Sequence, residues 1–255
     1  MNAPKHVLVT GSSGAIGRSV CDELLRRGHR VRGFDRVAMW QPNERVEDAV
    51  HGNLEDPFAV AEAMQRVDTV VHLAAIPNNV GFFALLGPNV VGVYNVMEAA
   101  RREGVKRVIL ASTIQVVSSQ FGKLDRLLRG DDRYPTNDYA LAKLWAEELG
   151  EMYARCHAMS VIAARIFWVV RGTWDAARMV NARQTHLYLS GRDVGEFFAC
   201  AVEASNIDFA VLYATGAEGT RLVDAEAARR LIGYEPRDRW PEGFPFELPQ
   251  LEVTE

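Results

Sequence analysis

Tyr139 and Lys143 stand four residues apart in the run Asp138-Tyr139-Ala140-Leu141-Ala142-Lys143. On a helix that spacing puts both side chains on one face. A tyrosine phenol titrates at about 10 and is a poor base at neutral pH. A neighbouring ammonium favours the phenolate, and the pair can then exchange a proton with a hydroxyl or carbonyl of a substrate. The same spacing also describes a half-buried tyrosine beside a snorkelling lysine, so the chemistry needs further groups. Ser112 and Thr113 supply hydroxyls at the end of the apolar run Lys106-Arg107-Val108-Ile109-Leu110-Ala111. A hydroxyl placed there can hydrogen-bond the reacting oxygen and stabilise charge that develops on it.

These groups need elements that bring them together. The N-terminal run Val7-Leu8-Val9-Thr10-Gly11-Ser12-Ser13-Gly14-Ala15-Ile16-Gly17 reads as a strand, three glycines spaced G-x-x-G-x-x-G, and a helix start. That order builds a dinucleotide site: Gly11 for the tight turn, Gly14 for close backbone approach to a pyrophosphate, Gly17 for helix–strand packing. The anion would sit where the free N–H groups and dipole of the helix N-terminus favour negative charge. Asp35 ends the next apolar run, Arg30-Val31-Arg32-Gly33-Phe34-Asp35, and can accept both ribose hydroxyls of NAD while repelling the 2′-phosphate of NADP. Arg36 and Arg18 are nearby cations that could partner such a phosphate, and NAD remains the preferred cofactor. An oxidised nicotinamide ring would join the ammonium in favouring the phenolate.

Strands are expected near 5–10, 30–35, 46–51, 69–74, 106–111, 160–166 and 208–214, and helices near 15–28, 56–66, 88–103, 137–157, 191–205 and 223–232. Short strands alternating with helices predict an α/β fold: a Rossmann-type, doubly wound parallel sheet of about seven strands. The whole chain, 1–255, reads as one such domain, with 167–190 and 213–255 as a small C-terminal substrate lobe. Asp56-Pro57 marks a helix start. Residues 114–136 form a long charged connection, and 167–190 carry no clean period. The helices 88–103 and 137–157 are apolar on more than one face, and the excess must be buried either in a thick core or in a homodimer built through them.

Composition narrows the function classes. The 255 residues are 48% hydrophobic and 24% charged, with a formal net charge of −4 and no block of like charge, so nucleic acid is not an expected partner. No apolar run approaches the roughly 18 residues of a membrane span, and the first strand begins too early for a signal peptide. The three cysteines, Cys21, Cys156 and Cys200, form no C-x-x-C pair, and a cytoplasmic location is expected. No H-x-x-x-H or clustered Cys/His pattern points to zinc, so no metal is expected.

Taken together, the glycine run, Asp35, Gly52-Asn53-Leu54, Val71-His72-Leu73-Ala74-Ala75, the run Asn89 to Asn95, Ala111-Ser112-Thr113, Tyr139 with Lys143, and Arg165 resemble the short-chain dehydrogenase/reductase superfamily in its extended, NAD-dependent epimerase/dehydratase branch. The resemblance implies that Gly11, Gly14, Ile16 and Gly17, with Ser13 and Ala15, line the pyrophosphate, and that Asp35 takes the adenosine ribose. It places Asn53 and Leu54 by the adenine, although the family usually has Asp at the position of Asn53. Leu73, Ala74, Ala75, Asn89 and Ile166 complete the cofactor set, and Lys143 also holds the nicotinamide ribose. The catalytic set is Tyr139, Lys143, Thr113 and Ser112, with the main hydroxyl on Thr113.

Within the branch the layout is similar to uronate dehydrogenases, through His72-Leu73, Tyr94-Asn95, Glu98-Ala99-Ala100-Arg101, Arg165-Ile166 and Leu231-Ile232-Gly233-Tyr234-Glu235-Pro236. The substrate positions differ. Ile114-Gln115 replaces Asn-His, Pro77 replaces Ser, and Trp168 stands where nucleotide-sugar relatives have Asn. Pro77, Gln115, Trp168 and Arg178 are the expected substrate contacts. Arg171, Arg178 and Arg183 are candidates to hold a carboxylate, with Arg178 preferred, because guanidinium offers a bidentate fork. The small lobe implies a small polar substrate such as a sugar or sugar acid. Three functions stay open: an NAD-dependent oxidoreductase, an NAD-dependent epimerase, and a non-catalytic NAD-binding sensor or scaffold. A dehydratase is disfavoured because Ile114-Gln115 follows Thr113 where an acid/base pair would stand.

Overall fold

The structure, a computed structural model, describes residues 3–37 and 48–247. Seven parallel strands form one sheet: β1 (His6–Thr10), β2 (Arg30–Asp35), β3 (Asp48–His51), β4 (Thr69–His72), β5 (Arg107–Thr113), β6 (Ser160–Ile166) and, later in the chain, β9 (Phe209–Ala214). Their order is β3-β2-β1-β4-β5-β6-β9, so the winding direction reverses between β1 and β4. Ligands of such sheets bind outside the carboxyl ends of the strands at that reversal. The expected strand at 46–51 is described from Asp48 onward, and 46–47 lie outside the described residues, as do 248–255 of the tail.

Helices cover both faces because successive strand residues point to opposite sides. On β5, Ile109 and Ala111 join one apolar cluster, with Val20 and Leu24 of α1 (Ala15–Arg26) and Phe197 and Phe198 of α7 (Gly191–Glu203). Val108 and Leu110 join the opposite cluster, with Met64 of α2 (Pro57–Met64), Val96 and Met97 of α4 (Gly92–Arg102) and Ala146 and Tyr153 of α5 (Asp138–His157). Asp56 caps α2, its Oδ1 accepting from the N–H groups of Phe58 at 2.9 Å and Ala59 at 3.3 Å, with Pro57 in the first turn. The helix expected at 88–103 is entered through the short α3 (Phe82–Leu85) and a wide π-turn over Leu86–Val91 that carries Pro88, a residue with no N–H to give to a continuous α-helix. The long connection after β5 is tied down: Arg126 makes a bidentate pair with Asp132, and Leu128 bridges to Val223 near α8 (Glu226–Ile232).

The stretch 167–190, without period in the sequence, holds β7 (Trp168–Val169), α6 (Thr173–Asn181) and β8 (Tyr188–Leu189). β7 and β8 pair in parallel over two residues. A third, small apolar cluster of Val170, Ala176, Met179 and Tyr188 packs with Trp168, Trp240 and Phe244. Only Asp175, Ala176 and Met179 of the nine residues of α6 are buried, too few for an apolar stripe to show. No described helix is long and apolar enough to cross a membrane.

Candidate active site

A cleft of about 1530 Å³ runs along the carboxyl ends of β1, β2, β4, β5 and β6. At one end is the glycine loop between β1 and α1. Gly11 has φ +72°, and a Cβ there would meet the Ala74 backbone N at 2.8 Å. A Cβ on Gly17 would lie 2.1 Å from the Gly11 carbonyl oxygen, so the helix can approach the loop only with glycine there. No side chain caps α1 at Gly14, and no acidic residue occupies its first turn, which leaves its N–H groups to the cleft. The buried hydroxyls of Ser12 and Ser13 find no hydrogen-bond partner among the described residues. An open helix N-terminus, a cradle that a Cβ would fill and unpartnered hydroxyls fit the pyrophosphate of a dinucleotide.

Asp35 stands at the end of β2 with its carboxylate fixed by two backbone donors, Ser13 N at 3.0 Å and Val37 N at 3.1 Å. Arg36 also lines this part of the cleft, while Arg18 is exposed on α1 and does not. Asn53 and Leu54 line it as well. The Asn53 side-chain Oδ1 accepts from Glu55 N at 3.2 Å, and the Leu54 backbone carbonyl accepts from the Asn95 amide at 2.8 Å.

Tyr139 and Lys143 lie where the cleft passes β5. Asn137 starts their helix, its side chain accepting from Ala140 N at 2.9 Å and its amide donating to Gln115 at 3.0 Å. Lys143 is buried and donates to the Ala111 carbonyl at 2.8 Å, with its Nζ 5.9 Å from the centre of the Tyr139 ring. Burial pulls the ammonium down to about 8, and the charge of Glu147 opposes that fall. The Tyr139 phenol is pushed up to about 12 by burial, against a hydrogen bond with Thr113 and the charge of Arg171. The sequence points to the Lys143 ammonium as the charge that lowers the phenol; in the protein alone burial dominates, and the cation acting against it is Arg171. His72, at the end of β4, is buried with its Nδ1 2.8 Å from the Thr10 hydroxyl. Burial, and then the Lys143 charge, hold His72 down to about 3 and therefore neutral.

Of the two hydroxyls expected at the reaction centre, Thr113 meets the phenol. Ser112 does not share that task. It points to the α5 side of the sheet and donates to the buried carboxylate of Glu147. The Ser112 hydroxyl is committed to that carboxylate, and Thr113, the last residue of β5, is the one left to the phenol.

The far end of the cleft is aromatic and cationic. Trp168, Arg171, Trp174, Arg178 and Phe121 line it together with Pro77, Gln115 and Gln184. Arg178 lies 4.7 Å over the Trp168 ring, and Arg171 5.5 Å over that of Trp174. Both arginines share the fully buried Asp175, with Arg171 Nε at 3.5 Å and Arg178 Nη2 at 3.6 Å. Arg183 is exposed and does not line the cleft. Arg171 is one of the three arginines expected as carboxylate candidates, whereas Trp174 is not among the expected contacts. The i, i+4 and i, i+3 charge spacing of Arg171, Asp175 and Arg178 was the available signal for α6.

The cleft thus brings together Gly11, Ser13, Gly14, Ala15, Ile16, Gly17, Asp35, Asn53, Leu54, Leu73, Ala74, Ala75, Pro77, Ser112, Thr113, Gln115, Tyr139, Lys143, Ile166, Trp168 and Arg178. Asn89 is the exception. It is fully buried, and its amide is used on both sides by the backbone of Ile76, at 2.9 and 3.0 Å, so it shapes the loop after β4 instead of facing a ligand.

Residues 7–190 match the profile of the NAD dependent epimerase/dehydratase family. The chain is 26% identical over 233 residues to a uronate dehydrogenase of Pseudomonas putida, spanning 91% of this chain and 84% of that one. It is 30% identical over 251 residues to an L-arabinose 1-dehydrogenase (NAD(P)(+)) of Haloferax volcanii, spanning 91% and 96%. The solved structure of a mutated uronate dehydrogenase superposes with a TM-score of 0.80 at 26% identity, over 93% of this chain and 83% of that one.

Proposed function

Because the chain belongs to the NAD dependent epimerase/dehydratase family, we propose that it is an NAD-dependent oxidoreductase that oxidises a hydroxyl, or reduces the corresponding carbonyl, of a sugar or sugar acid. The observation that carries this reading is one cleft holding the glycine cradle, Asp35 and the Thr113–Tyr139–Lys143 group. Bound there, the oxidised dinucleotide supplies the two-electron acceptor.

The residues of the chain do the rest. The Gly11–Gly17 loop and the first turn of α1 hold the pyrophosphate, and Asp35 takes the ribose hydroxyls. The Asp35 carboxylate, fixed by Ser13 N and Val37 N, would repel a 2′-phosphate on that ribose, which favours NAD over NADP. Tyr139 receives the proton of the substrate hydroxyl, and Thr113 orients that oxygen by a hydrogen bond. Lys143 uses one of its three N–H donors on Ala111, leaving two for the nicotinamide ribose and the proton path. Its positive charge favours the phenolate once the cleft is filled. Arg171 and Arg178, anchored on Asp175, meet an anionic group of the substrate, with Trp168, Pro77 and Gln115 around its body. In this reading 167–190 and 213–255 serve as the small substrate lobe of a single domain.

The exposed faces of α4 and α5 support a homodimer: Val91 and Tyr94 beside one, Leu141 and Trp145 on the other, are 36–51% exposed. Three free cysteines fit a cytoplasmic setting. The test of the activity is direct. Purified protein with NAD and a panel of uronates and aldoses should form NADH, followed by absorbance. Tyr139→Phe should lower kcat by about 10²–10⁴ while NAD still binds. Equal turnover by wild type and Tyr139→Phe would refute the assignment. Retention of a tightly held dinucleotide with no net NADH formation would point instead to an epimerase.

A further inference from the structure

Under the catalytic helix runs a polar row that the proton transfer just described does not use. Ser112, Arg165 and Tyr213 are register neighbours on β5, β6 and β9. Arg165 is fully buried and grips Glu147 of α5 bidentately, Nε to Oε1 at 2.9 Å and Nη2 to Oε2 at 2.7 Å. The Ser112 hydroxyl donates to the same Oε1. Arg165 Nη1 donates to the Tyr213 hydroxyl at 3.1 Å, which donates to the Arg129 carbonyl at 2.8 Å. The surrounding layer is apolar, with Leu110, Ala146 and Val161 in the same cluster. A buried ion pair in such a layer stabilises no better than well-packed hydrophobic residues, so packing alone does not account for it.

Its position does. Tyr139, Lys143 and Glu147 stand at i, i+4 and i+8 on one face of α5, and all three are buried. Three consecutive residues of β5 hold them: the Ala111 carbonyl takes Lys143, the Ser112 hydroxyl takes Glu147, and Thr113 meets Tyr139. We propose that Glu147 is a positioning residue for Lys143: pinned by Ser112 and Arg165, its carboxylate keeps the ammonium one turn earlier charged and directed toward the cleft. The inference rests on Tyr139 and Lys143 being the proton-transferring pair.

The groups that face Lys143 are few. Tyr139 and Glu147 do so from its own helix, and His72 from β4 is neutral. Arg165, from β6, is held in its ion pair with the Glu147 carboxylate. Glu147 is the charge that favours the ammonium against burial. Without it, Lys143 would keep only a peptide carbonyl and would feel an unpaired Arg165.

The experiment follows the Lys143 titration in the full-length protein by NMR of ¹³Cε-labelled lysine, alongside the pH profile of kcat/KM with NAD and substrate. Wild type is compared with Glu147→Gln, Ser112→Ala and the double variant Glu147→Gln/Arg165→Met. Glu147→Gln should lower the Lys143 midpoint by about one pH unit or more, the double variant by less, and Ser112→Ala least. The alkaline limb of kcat/KM should move in the same order, while NAD affinity at pH 6, where the ammonium is formed in every variant, stays unchanged. The double variant carries no unpaired buried charge and so keeps the test alive should Glu147→Gln fail to fold. An unchanged Lys143 midpoint in the double variant, or in a folded Glu147→Gln, would overturn the proposal. Absence of turnover by wild type would strike the dehydrogenase reading and leave the lysine titration to decide the part of Glu147.

Discussion

Replacing Lys143 by methionine should make the protein more stable while disabling it. The ammonium is buried, and burial brings it from 10.5 to about 8. At about 1.36 kcal/mol per pH unit, holding it charged inside the fold costs about 3 kcal/mol at pH 7. Methionine has similar length and no charge to desolvate. The Ala111 carbonyl loses its donor, which costs about 1 kcal/mol, so the net gain at pH 7 is about 2 kcal/mol. The pH dependence has a definite sign. The folded-state value lies below the unfolded one, so between about pH 8 and 10.5 the unfolded chain binds more protons and the wild type gains stability as pH rises. The variant lacks this term, and its advantage should shrink by about 2 kcal/mol between pH 7 and 9.5. Taking the difference between the two proteins cancels the cysteines and tyrosines that titrate in the same range. Urea unfolding at both pH values measures it, and kcat on any active substrate should fall by about 10² or more. A Lys143→Met protein less stable than wild type at pH 7, or an advantage that does not change with pH, would refute the account of this lysine.

Other outcomes follow from the same geometry. Gly17→Ala would put a Cβ 2.1 Å from the Gly11 carbonyl, so the loop must shift, and NAD affinity measured by calorimetry should fall about tenfold or more. Asp35→Ala removes the charge that would repel a 2′-phosphate, and the ratio of kcat/KM for NADP to that for NAD should rise at least about tenfold. An unchanged ratio would remove Asp35 from cofactor selection. Arg171→Gln and Arg178→Gln should raise KM for anionic sugars by about tenfold each and leave a neutral aldose little changed. Equal effects on both substrate types would argue against an anion contact.

Much of this site was legible because it is local. The β1–glycine–α1 unit, Asp35 at the end of β2 and the Tyr139–Lys143 pair each lie within one or two elements, and their meaning depends on short spacing. The seven strands were also readable, since buried parallel strands appear as short apolar runs between turn signals. Ser112 and Thr113 show where that reading stops. Two adjacent hydroxyls are equivalent in a sequence, and only the tertiary structure decides that Glu147 takes Ser112 and leaves Thr113, the last residue of β5, to the phenol. Asn89 fell short for a related reason: its amide serves Ile76, thirteen residues earlier.

By itself, then, the sequence determined the winding of the sheet, the tight glycine turn after β1 and the placing of Tyr139 and Lys143 on one helix face, because hydrophobic period, glycine geometry and helical spacing are properties of neighbouring residues. Only the tertiary structure decided that α6 and the segment leading into it carry Arg171, Trp174 and Arg178 to the cleft, and that Glu147 pairs with Arg165 on the same helix face as Lys143. Those arrangements join residues distant in the chain, and they turn on which groups packing removes from water, a quantity that no local pattern contains.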